Sequence, residues 1–569
     1  MAQWSIVRPD SAPKPRRPRF FHDRGGNVAL LFAFLSVPML MLGGAAIDYG
    51  FATRLETKLQ AATDATALLL CQTPLATPQA DLNTLAVTTM TGAMGTANLV
   101  VDPLAITNNP RKITLTTHKL STTFFGALTG TKRINPGAVA QCATPLPKTF
   151  EIALVLDNTG SMAESSGGQS KLKAVQSAAA NFVDYVYTSA AFSSATKIAI
   201  VPFAGAVAVD PTAYRYASWI DLNGISSYHW TNIVQSPPAP FKSRFDVFAK
   251  LQAVNRAWGW AGCLETLSYP LNVQDGAPTA SNKDSYYVPL LAPDEPGDAS
   301  AQVAPFPVGS QNPTAYSYNS YLDDRTGGSC QNSNSYTTAL GQACKYVNPT
   351  DAVSASPLGI PNGPNFGCTT QPLQRLTNNT STLKTLISNM APLGSTNIHE
   401  GFMWGWRTLS PNSVFADGQP YASSTNSSNA STINKVIILM TDGTNSWSAN
   451  PYAPTGSLYF AAAYFKNANG TTPNPRMPPK YQNIADANTA RSALDALTAE
   501  ACSNAKGVNI SIYTIGFSIP SDPIDAAGQT LLKNCASSAD QYFLANTSDD
   551  LIKAFQTIQA SIGALRLTQ

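Results

Sequence analysis

The sequence predicts an α/β protein in three parts: an N-terminal transmembrane helix, a small α+β unit, and a large domain on a doubly wound, mostly parallel sheet. The helix is predicted by the uncharged apolar segment 28–47. The large domain is predicted by apolar strands that alternate with helices after residue 148, a pattern typical of parallel sheets covered on both faces. Stretches rich in Pro, Ser and Asn interrupt this alternation and predict large loop-rich insertions.

Length and composition limit the classes of protein to consider. A chain of 569 residues is too long for one hydrophobic core, so we expect several domains. Only 12% of the residues are charged, and the net charge is +3. No long basic stripe is interleaved with aromatic residues, so we expect no nucleic-acid partner.

The apolar segment 28–47 is long enough to cross a membrane. Its residues rise about 1.5 Å each and together span about 30 Å, the thickness of a hydrocarbon core. The preceding tail, 1–26, is basic, and basic flanks stay in the cytoplasm, so everything after Asp48 should lie outside. The alternative is a cleaved signal peptide, but its apolar region is shorter and ends at small residues, which Ile47-Asp48-Tyr49 fits poorly.

The eight cysteines indicate an oxidising compartment. They contain no Cys-x-x-Cys pair, so the spacing of a zinc site is absent. We therefore expect disulfides rather than buried free thiols, the alternative reading. Sequence alone does not fix the connectivity, but three pairs are plausible: Cys71 with Cys142, Cys330 with Cys344, and Cys502 with Cys535.

The pattern of elements divides the chain into four regions. They are a cytoplasmic tail at 1–26, the transmembrane helix with an external extension at 27–72, a small α+β unit with its linker at 73–147, and the large domain at 148–569. We expect insertions in the large domain at about 210–370, 411–432 and 446–480.

Individual elements follow from hydrophobic periodicity. In the small unit we predict a helix at 80–96 and strands at 99–106, 113–118 and 138–142. In the large domain we predict strands at 150–156, 197–203, 435–440, 508–515 and 541–545. Helices are predicted there at 171–187, 381–390, 398–409, 483–505 and 549–565.

Oxygen-bearing side chains follow two of these strands. Asp157, Thr159 and Ser161 form an Asp-x-Thr-x-Ser turn directly after the apolar run 152–156, and Asp442 follows the run 435–440. Ligands of such sheets bind at the carboxyl ends of the strands. Carboxylate and hydroxyl oxygens suit a small dication such as Mg²⁺.

With Thr396 in Gly-Ser-Thr-Asn between them, the two motifs resemble the metal-ion-dependent adhesion site of von Willebrand factor type A domains. The resemblance implies that Asp157, Thr159, Ser161, Thr396 and Asp442 hold Mg²⁺ or Mn²⁺. It also implies an open position on the ion for an acidic residue of a protein partner. The family more often has Ser where this chain has Thr159, but the hydroxyl is kept, so we expect the metal to be retained.

The N-terminal region resembles TadG-like proteins of tight-adherence (Flp) pilus assembly. The resemblance rests on three motifs: Arg24-Gly25-Gly26-Asn27-Val28-Ala29-Leu30, Gly43-Gly44-Ala45-Ala46-Ile47-Asp48-Tyr49-Gly50 and Leu59-Gln60-Ala61-Ala62-Thr63-Asp64-Ala65-Thr66-Ala67-Leu68. It implies a single-pass inner-membrane protein with periplasmic bulk, and a partner in the pilus or secretion machinery.

Enzymatic motifs are incomplete. The helix at 398–409 begins with His399-Glu400, as in zinc proteases, but Met403 stands where the second His is needed. We therefore predict no enzyme but a membrane-anchored, metal-dependent protein-binding module in Flp pilus assembly, anchoring or adhesion. The alternatives are a surface adhesin that contacts host or matrix directly, and a hydrolase within the 210–370 insertion.

Overall fold

The structure is a computed structural model. It describes residues 27–74, 77–108, 111–126, 130–143, 149–166, 168–189, 191–233, 241–296, 303–307, 314–316, 318–322, 335–350, 359–421, 433–467 and 473–563. These residues form two compact units, divided between 146 and 147. The predicted tail at 1–26 lies outside the described residues.

The first unit contains one very long helix. Helix α1, Asn27–Gln72, has 46 residues and includes Pro38. Within the described part of the chain, it is the one helix long and apolar enough to cross a membrane. Its second half packs into the unit through Leu59 and Leu70, which are fully buried. Helix α2, Gln79–Met94, packs beside it.

An antiparallel sheet completes the first unit. Its strands are β1 (Leu99–Val101), β2 (Ala105–Thr107), β3 (Lys112–Lys119) and β6 (Gly137–Ala143), and a short hairpin joins β4 (Ser121–Thr122) to β5 (Arg133–Ile134). The single strand predicted at 99–106 is wrong. It is divided between β1 and β2 because Pro103, which has no N–H to donate, interrupts it.

The second unit is built on a six-stranded sheet in the order β13-β10-β7-β14-β15-β16. The strands are β7 (Thr149–Asp157), β10 (Lys197–Phe203), β13 (Gln374–Thr377), β14 (Ile433–Thr441), β15 (Ser511–Phe517) and β16 (Tyr542–Ala545). All neighbours are parallel except β13, which runs antiparallel to β10 at the edge. The predicted doubly wound, mostly parallel sheet is confirmed.

Helices cover both faces of this sheet. They are α3 (Lys171–Thr188), α7 (Thr380–Asn389) and α11 (Ser548–Gly563) on one face, and α8 (Ile398–Leu409), α9 (Ala487–Gly507) and α10 (Ala526–Cys535) on the other. The alternation of side chains along a strand explains the two cores. In β7, Ile152 and Leu154 pack into the core beneath α3, α7 and α11. Ala153 and Val155 pack into the core beneath α8, α9 and α10.

The segment between β10 and β13 carries its own small elements. These are α4 (Pro211–Tyr214), α5 (Arg244–Val254), α6 (Tyr336–Gly341), β11 (Val303–Pro307) and β12 (Thr314–Tyr316). A two-stranded ribbon, β8 (Ser165–Ser166) with β9 (Gln169–Ser170), precedes α3. Buried charges connect this segment to the chain after β14: the Glu265 carboxylate pairs with both Arg244 and Arg476, and all three side chains are shielded from water.

Disulfides tie distant parts of each unit together. The predicted pairs Cys71–Cys142 and Cys502–Cys535 are confirmed. A third, Cys263–Cys368, was not predicted. The predicted pair of Cys330 with Cys344 involves a residue outside the described part of the chain.

Candidate functional site

Asp157 is the last residue of β7, and its carboxylate is fully buried. The backbone N–H of Thr159 donates to Asp157 Oδ1 at 2.8 Å, and Thr441 Oγ1 donates to Asp157 Oδ2 at 2.6 Å. The second contact arises because β14 lies parallel and in register beside β7, with Met440 opposite Leu156. The two strand ends therefore fix the orientation of this carboxylate.

The turn after β7 brings two hydroxyl groups toward Asp442. A short 3₁₀ turn, Gly160–Ala163, follows Thr159. The Oγ1 atom of Thr159 and the Oγ atom of Ser161 lie 3.2 Å apart, and Ser161 Oγ donates to Asp442 Oδ1 at 2.8 Å. Asp442 itself follows β14 and is 2% exposed. The structure thus joins both carboxylates that the sequence placed at strand ends.

Thr396 reaches the same place from a third loop. The Gly160 N–H donates to Gly394 O at 2.9 Å, which attaches this loop to the turn after β7. A Cβ atom on Gly443 would lie 3.9 Å from Thr396 Oγ1 and 4.0 Å from Ser161 Oγ. Both hydroxyl groups therefore face the backbone just after Asp442, and all five predicted residues come together.

Lys171 also belongs to this site, although the sequence analysis did not identify it. Its Nζ atom donates to Asp442 Oδ2 at 2.7 Å and to Asp522 Oδ2 at 2.6 Å. The side chain is fully buried at the first position of α3. One signal was available, because Lys171 lies four residues before Val175 on the buried face of that helix.

Burial and mutual repulsion control the charges of the site. Desolvation is the larger cause, and repulsion from Asp442 the smaller, of a rise in the pKa of Asp157 to about 7. Desolvation also raises the pKa of Asp442, against the opposing effect of Lys171. Burial alone would lower the pKa of Lys171, but attraction to Asp442 and Asp522 outweighs it and raises the value. The positive charge of Lys171 therefore does not offset the negative charges that Asp157 and Asp442 carry when both are ionised.

The donor chemistry fits a hard cation. Two carboxylates and three hydroxyl groups supply oxygen atoms only, and Mg²⁺ prefers oxygen ligands. Among the residues that the structure describes, no group of three or more His, Cys, Asp or Glu is suited to hold a metal. A cation here would therefore depend on the hydroxyl groups as well as on Asp157 and Asp442.

Comparison with known families identifies the N-terminal region. Residues 26–69 match a family model described as putative Flp pilus-assembly TadE/G-like. This segment is TadE/G-like. The match covers most of α1, and the resemblance predicted from the sequence of this region is confirmed. A search of curated proteins found no match.

Solved structures similar to the chain include domains of pili. The vWF domain of the type V pili tip protein Mfa5 from Porphyromonas gingivalis has 13% identity and a TM-score of 0.30, and the match covers 74% of this chain and 98% of that one. The PilB minor pilin from Streptococcus sanguinis has 12% identity, a TM-score of 0.30, and coverage of 82% and 77%. The adhesive tip pilin GBS104 from Group B Streptococcus agalactiae has 10% identity, a TM-score of 0.32, and coverage of 73% and 100%.

Proposed function

We propose that the second unit is a metal-dependent protein-binding module, and that the chain acts in Flp pilus assembly, anchoring or adhesion. The convergence of five oxygen-bearing side chains from three loops at the carboxyl edge of the sheet supports this proposal. The TadE/G-like segment on the same chain supports the connection with pili. Binding, rather than catalysis, is the function we assign to the site.

In this proposal Asp157, Thr159, Ser161, Thr396 and Asp442 hold Mg²⁺ or Mn²⁺. The ion, when bound, would supply an electrophilic contact for an acidic residue of the partner. The chain contributes the rigid placement of the ligands, because the ends of β7 and β14 are fixed by the sheet. Burial of Asp157 and Asp442 excludes water and strengthens their attraction for a cation.

Titration of the full-length chain with Mg²⁺ or Mn²⁺ in lipid nanodiscs tests the site. We expect saturable uptake by the wild type and none by Asp442→Ala, because that variant lacks one of the two carboxylates. The matched control is Asp540→Ala, which removes an exposed carboxylate elsewhere in the same unit. Equal uptake by all three proteins would end the proposal.

Thr159 offers a sharper pair of variants, because its hydroxyl group can be removed without changing the side-chain shape. Thr159→Val keeps the shape and should weaken ion binding by about ten-fold or more, which corresponds to about 1.4 kcal/mol. Thr159→Ser keeps the hydroxyl group and should bind the ion as the wild type does. If Thr159→Val binds equally well, the Thr159 hydroxyl is not a ligand.

Affinity capture tests the partner. Wild type and Asp442→Ala would each be used to capture proteins, with and without a chelator. A pilus or secretion component that is lost both with the variant and with the chelator supports the proposal. Identical lists would show that the site does not recruit a partner.

We further propose a single-pass inner-membrane protein with a cytoplasmic N-terminus and a periplasmic second unit. Protease treatment of intact cells and of spheroplasts distinguishes this placement from that of a surface adhesin. Under the proposed topology, the second unit is protected in intact cells and cleaved in spheroplasts. Cleavage in intact cells would favour direct contact with host or matrix.

A further inference from the structure

A loop of the first unit is attached to α1 where the apolar segment ends. We call residues 123–126, which follow β4, the Phe loop; they read Thr-Phe-Phe-Gly. The backbone N–H groups of Phe124 and Phe125 donate to the two oxygens of Asp48 at 2.7 and 2.9 Å. Asp48 is the first charged residue after the apolar segment 28–47, and the loop leaves it only 8% exposed.

The Phe loop also extends back along the apolar segment. Phe125 packs so closely on Gly44 that a Cβ atom there would lie 2.7 Å from the Phe125 Cβ. Gly44 precedes Asp48 by four residues, or about 6 Å along the helix. The loop therefore overlaps the last turn of the segment that is long enough to lie in hydrocarbon.

The aromatic side chains of this loop are exposed in the protein alone. Phe124 is 72% exposed and Phe125 is 39% exposed, although they belong to an otherwise folded unit. Phe51 of α1 is 51% exposed and lies 5.3 Å from Phe124, measured between ring centroids. Tyr49, one residue after Asp48, is 75% exposed. Four partly or largely exposed aromatic rings thus lie near the end of the apolar segment of α1.

Basic side chains occur on the side of these rings away from the apolar segment, and two of them, Arg54 and Lys58, line the same surface depression as Phe51 and Phe124. Exposed basic residues occur on α1 beyond Asp48 and on the returning part of the β4–β5 hairpin: Arg54, Lys58, Lys132 and Arg133. The amphipathic ring of Tyr prefers the boundary between lipid and water, an apolar Phe ring at a membrane surface becomes buried in lipid, and nearby cations attract anionic headgroups. Exposed aromatic rings beside basic side chains therefore suit contact with a lipid surface better than burial against an apolar surface of another protein.

We propose that the Phe loop inserts into the outer leaflet of the membrane that α1 crosses. Asp48 holds the loop backbone at the interface. Its carboxylate accepts hydrogen bonds from the Phe124 and Phe125 N–H groups, which lipid could not provide with acceptors. Gly44 leaves room for Phe125 beside the helix, and Phe124 enters the lipid. The first unit would thus contact the bilayer at two places, through α1 and through the Phe loop. The contact with lipid requires only that α1 spans a membrane, whereas the choice of the outer leaflet rests on the topology proposed above; neither depends on the metal site.

Spin labelling of the full-length chain in nanodiscs of phosphatidylethanolamine and phosphatidylglycerol tests this contact. A nitroxide would be placed on Phe124→Cys under non-reducing conditions, which keep the native disulfides closed. Its collisions with oxygen, which concentrates in lipid, would be compared with those of a water-soluble nickel complex. Leu35→Cys in the apolar segment is the lipid reference. Val139→Cys is the water reference, since its carbonyl contacts Gln60, about 18 Å along α1 from Asp48.

We expect the ratio of oxygen to nickel collisions at position 124 to exceed that at position 139 clearly and to lie below that at position 35, because the ratio rises with depth in the bilayer and position 35 lies deeper. A ratio like that at position 139 would overturn the proposal, and so would a label shielded from both reagents, which would indicate a protein partner. If position 35 itself is exposed to water, α1 does not span the membrane, and this failure is separate from that of the loop.

Asp48→Ala tests the role of the carboxylate. Without the two hydrogen bonds the Phe loop should leave the lipid, so the ratio at position 124 should shift toward the water reference. The label at position 139 should be unchanged in the same variant, which shows that the unit is still folded. An unchanged ratio at position 124 would mean that Asp48 does not position the loop.

Discussion

Lys171 places a buried positive charge against one carboxylate of the candidate site. Lys171 contacts Asp442, whereas desolvation and then repulsion from Asp442 raise the pKa of Asp157 to about 7. Near neutral pH the metal-free site therefore keeps a net negative charge, because one ammonium group contacts two carboxylates, Asp442 and Asp522, and Asp157 is partly ionised. A dication that binds both carboxylates would displace the Asp157 proton and share Asp442 with the ammonium group. The partly exposed Asp522 offers Lys171 a second carboxylate.

Removal of this charge should destabilise the metal-free protein. We expect Lys171→Met to lower the free energy of unfolding by about 3–5 kcal/mol in chelator, because it leaves Asp442 buried without its cation. Mg²⁺ should restore part of this loss. The control is Lys173→Met, which removes an exposed ammonium two residues away and should change little. Equal unfolding of the two variants in urea with chelator would contradict this role.

A second buried carboxylate, Glu295, should make stability depend on pH. Desolvation raises the pKa of Glu295 to about 7, although its carboxylate accepts hydrogen bonds from the Tyr318 and Asn319 N–H groups. Between the unfolded pKa of about 4.3 and the folded value, the folded chain keeps a proton that the unfolded chain has released. Its contribution therefore lowers the free energy of unfolding as pH rises through that window.

Glu295→Gln does not titrate and should not show this decline. We expect the variant to match the wild type near pH 4 and to become more stable by up to about 4 kcal/mol above pH 7. Urea unfolding across this pH range measures the difference. Glu164→Gln, at an exposed position, should follow the wild type. A constant difference between Glu295→Gln and wild type would contradict the raised pKa.

At the scale of elements, two glycines set the position of α8 on the sheet. A Cβ atom on Gly405 would overlap Val155 of β7, and one on Gly401 would lie 2.5 Å from Cγ of Phe203 in β10. Gly401 and Gly405 are four residues apart and therefore face the same side. The helix begins at Ile398, immediately after the loop that carries Thr396. Its close approach to the sheet thus also places that hydroxyl group.

Gly405→Ala should disturb both packing and the site. We expect a loss of about 1–3 kcal/mol in the free energy of unfolding, the usual cost of overpacking, together with weaker ion binding. Val155→Ala should restore both in the double variant by making room. Gly507→Ala, with open space around it, is the control and should be harmless. Loss of stability without a change in ion affinity would show that the packing of α8 does not position the ligands of the site.

The predictability of each element depended on its burial. Strands β7, β10 and β14 were predicted because they are buried on both faces and read as apolar runs. The edge strand β13, Gln-Arg-Leu-Thr, was missed because only half-buried polar residues surround its one leucine. Helix α10 was missed because it has only ten residues, and its buried apolar side chains, Leu531, Leu532 and Cys535, are too few to give a clear helical period.

The candidate site was predictable only in part, for a related reason. Asp157 and Asp442 follow apolar strands, so their meeting at one sheet edge follows from topology. Thr396 was identified only through the resemblance to a known family. Lys171 was missed because its partners lie 271 and 351 residues further along the chain, so its position on the buried face of α3 did not indicate which groups it contacts.

For the whole molecule, disulfides compensate for long chain segments between neighbouring strands. Cys263–Cys368 closes a loop of 105 residues, whereas Cys502–Cys535 closes one of 33. Replacement of Cys263 and Cys368 by Ala should lower the free energy of unfolding by about 2–5 kcal/mol, because the longer loop gains more freedom when it opens. The same replacement at Cys502 and Cys535 is the matched control and should cost less. The reverse order in denaturant unfolding would contradict loop entropy as the main effect.

The continuity of α1 has a mechanical consequence. The helix runs for 46 residues, or about 69 Å, from the apolar segment into the core of the first unit. The Cys71–Cys142 disulfide fastens its last turn to β6. Tension applied to the sheet of that unit would pass through this bond and along one helix, with no flexible linker to absorb it. The force needed to extract residues 28–47 from a bilayer would then limit the tension that the chain can bear.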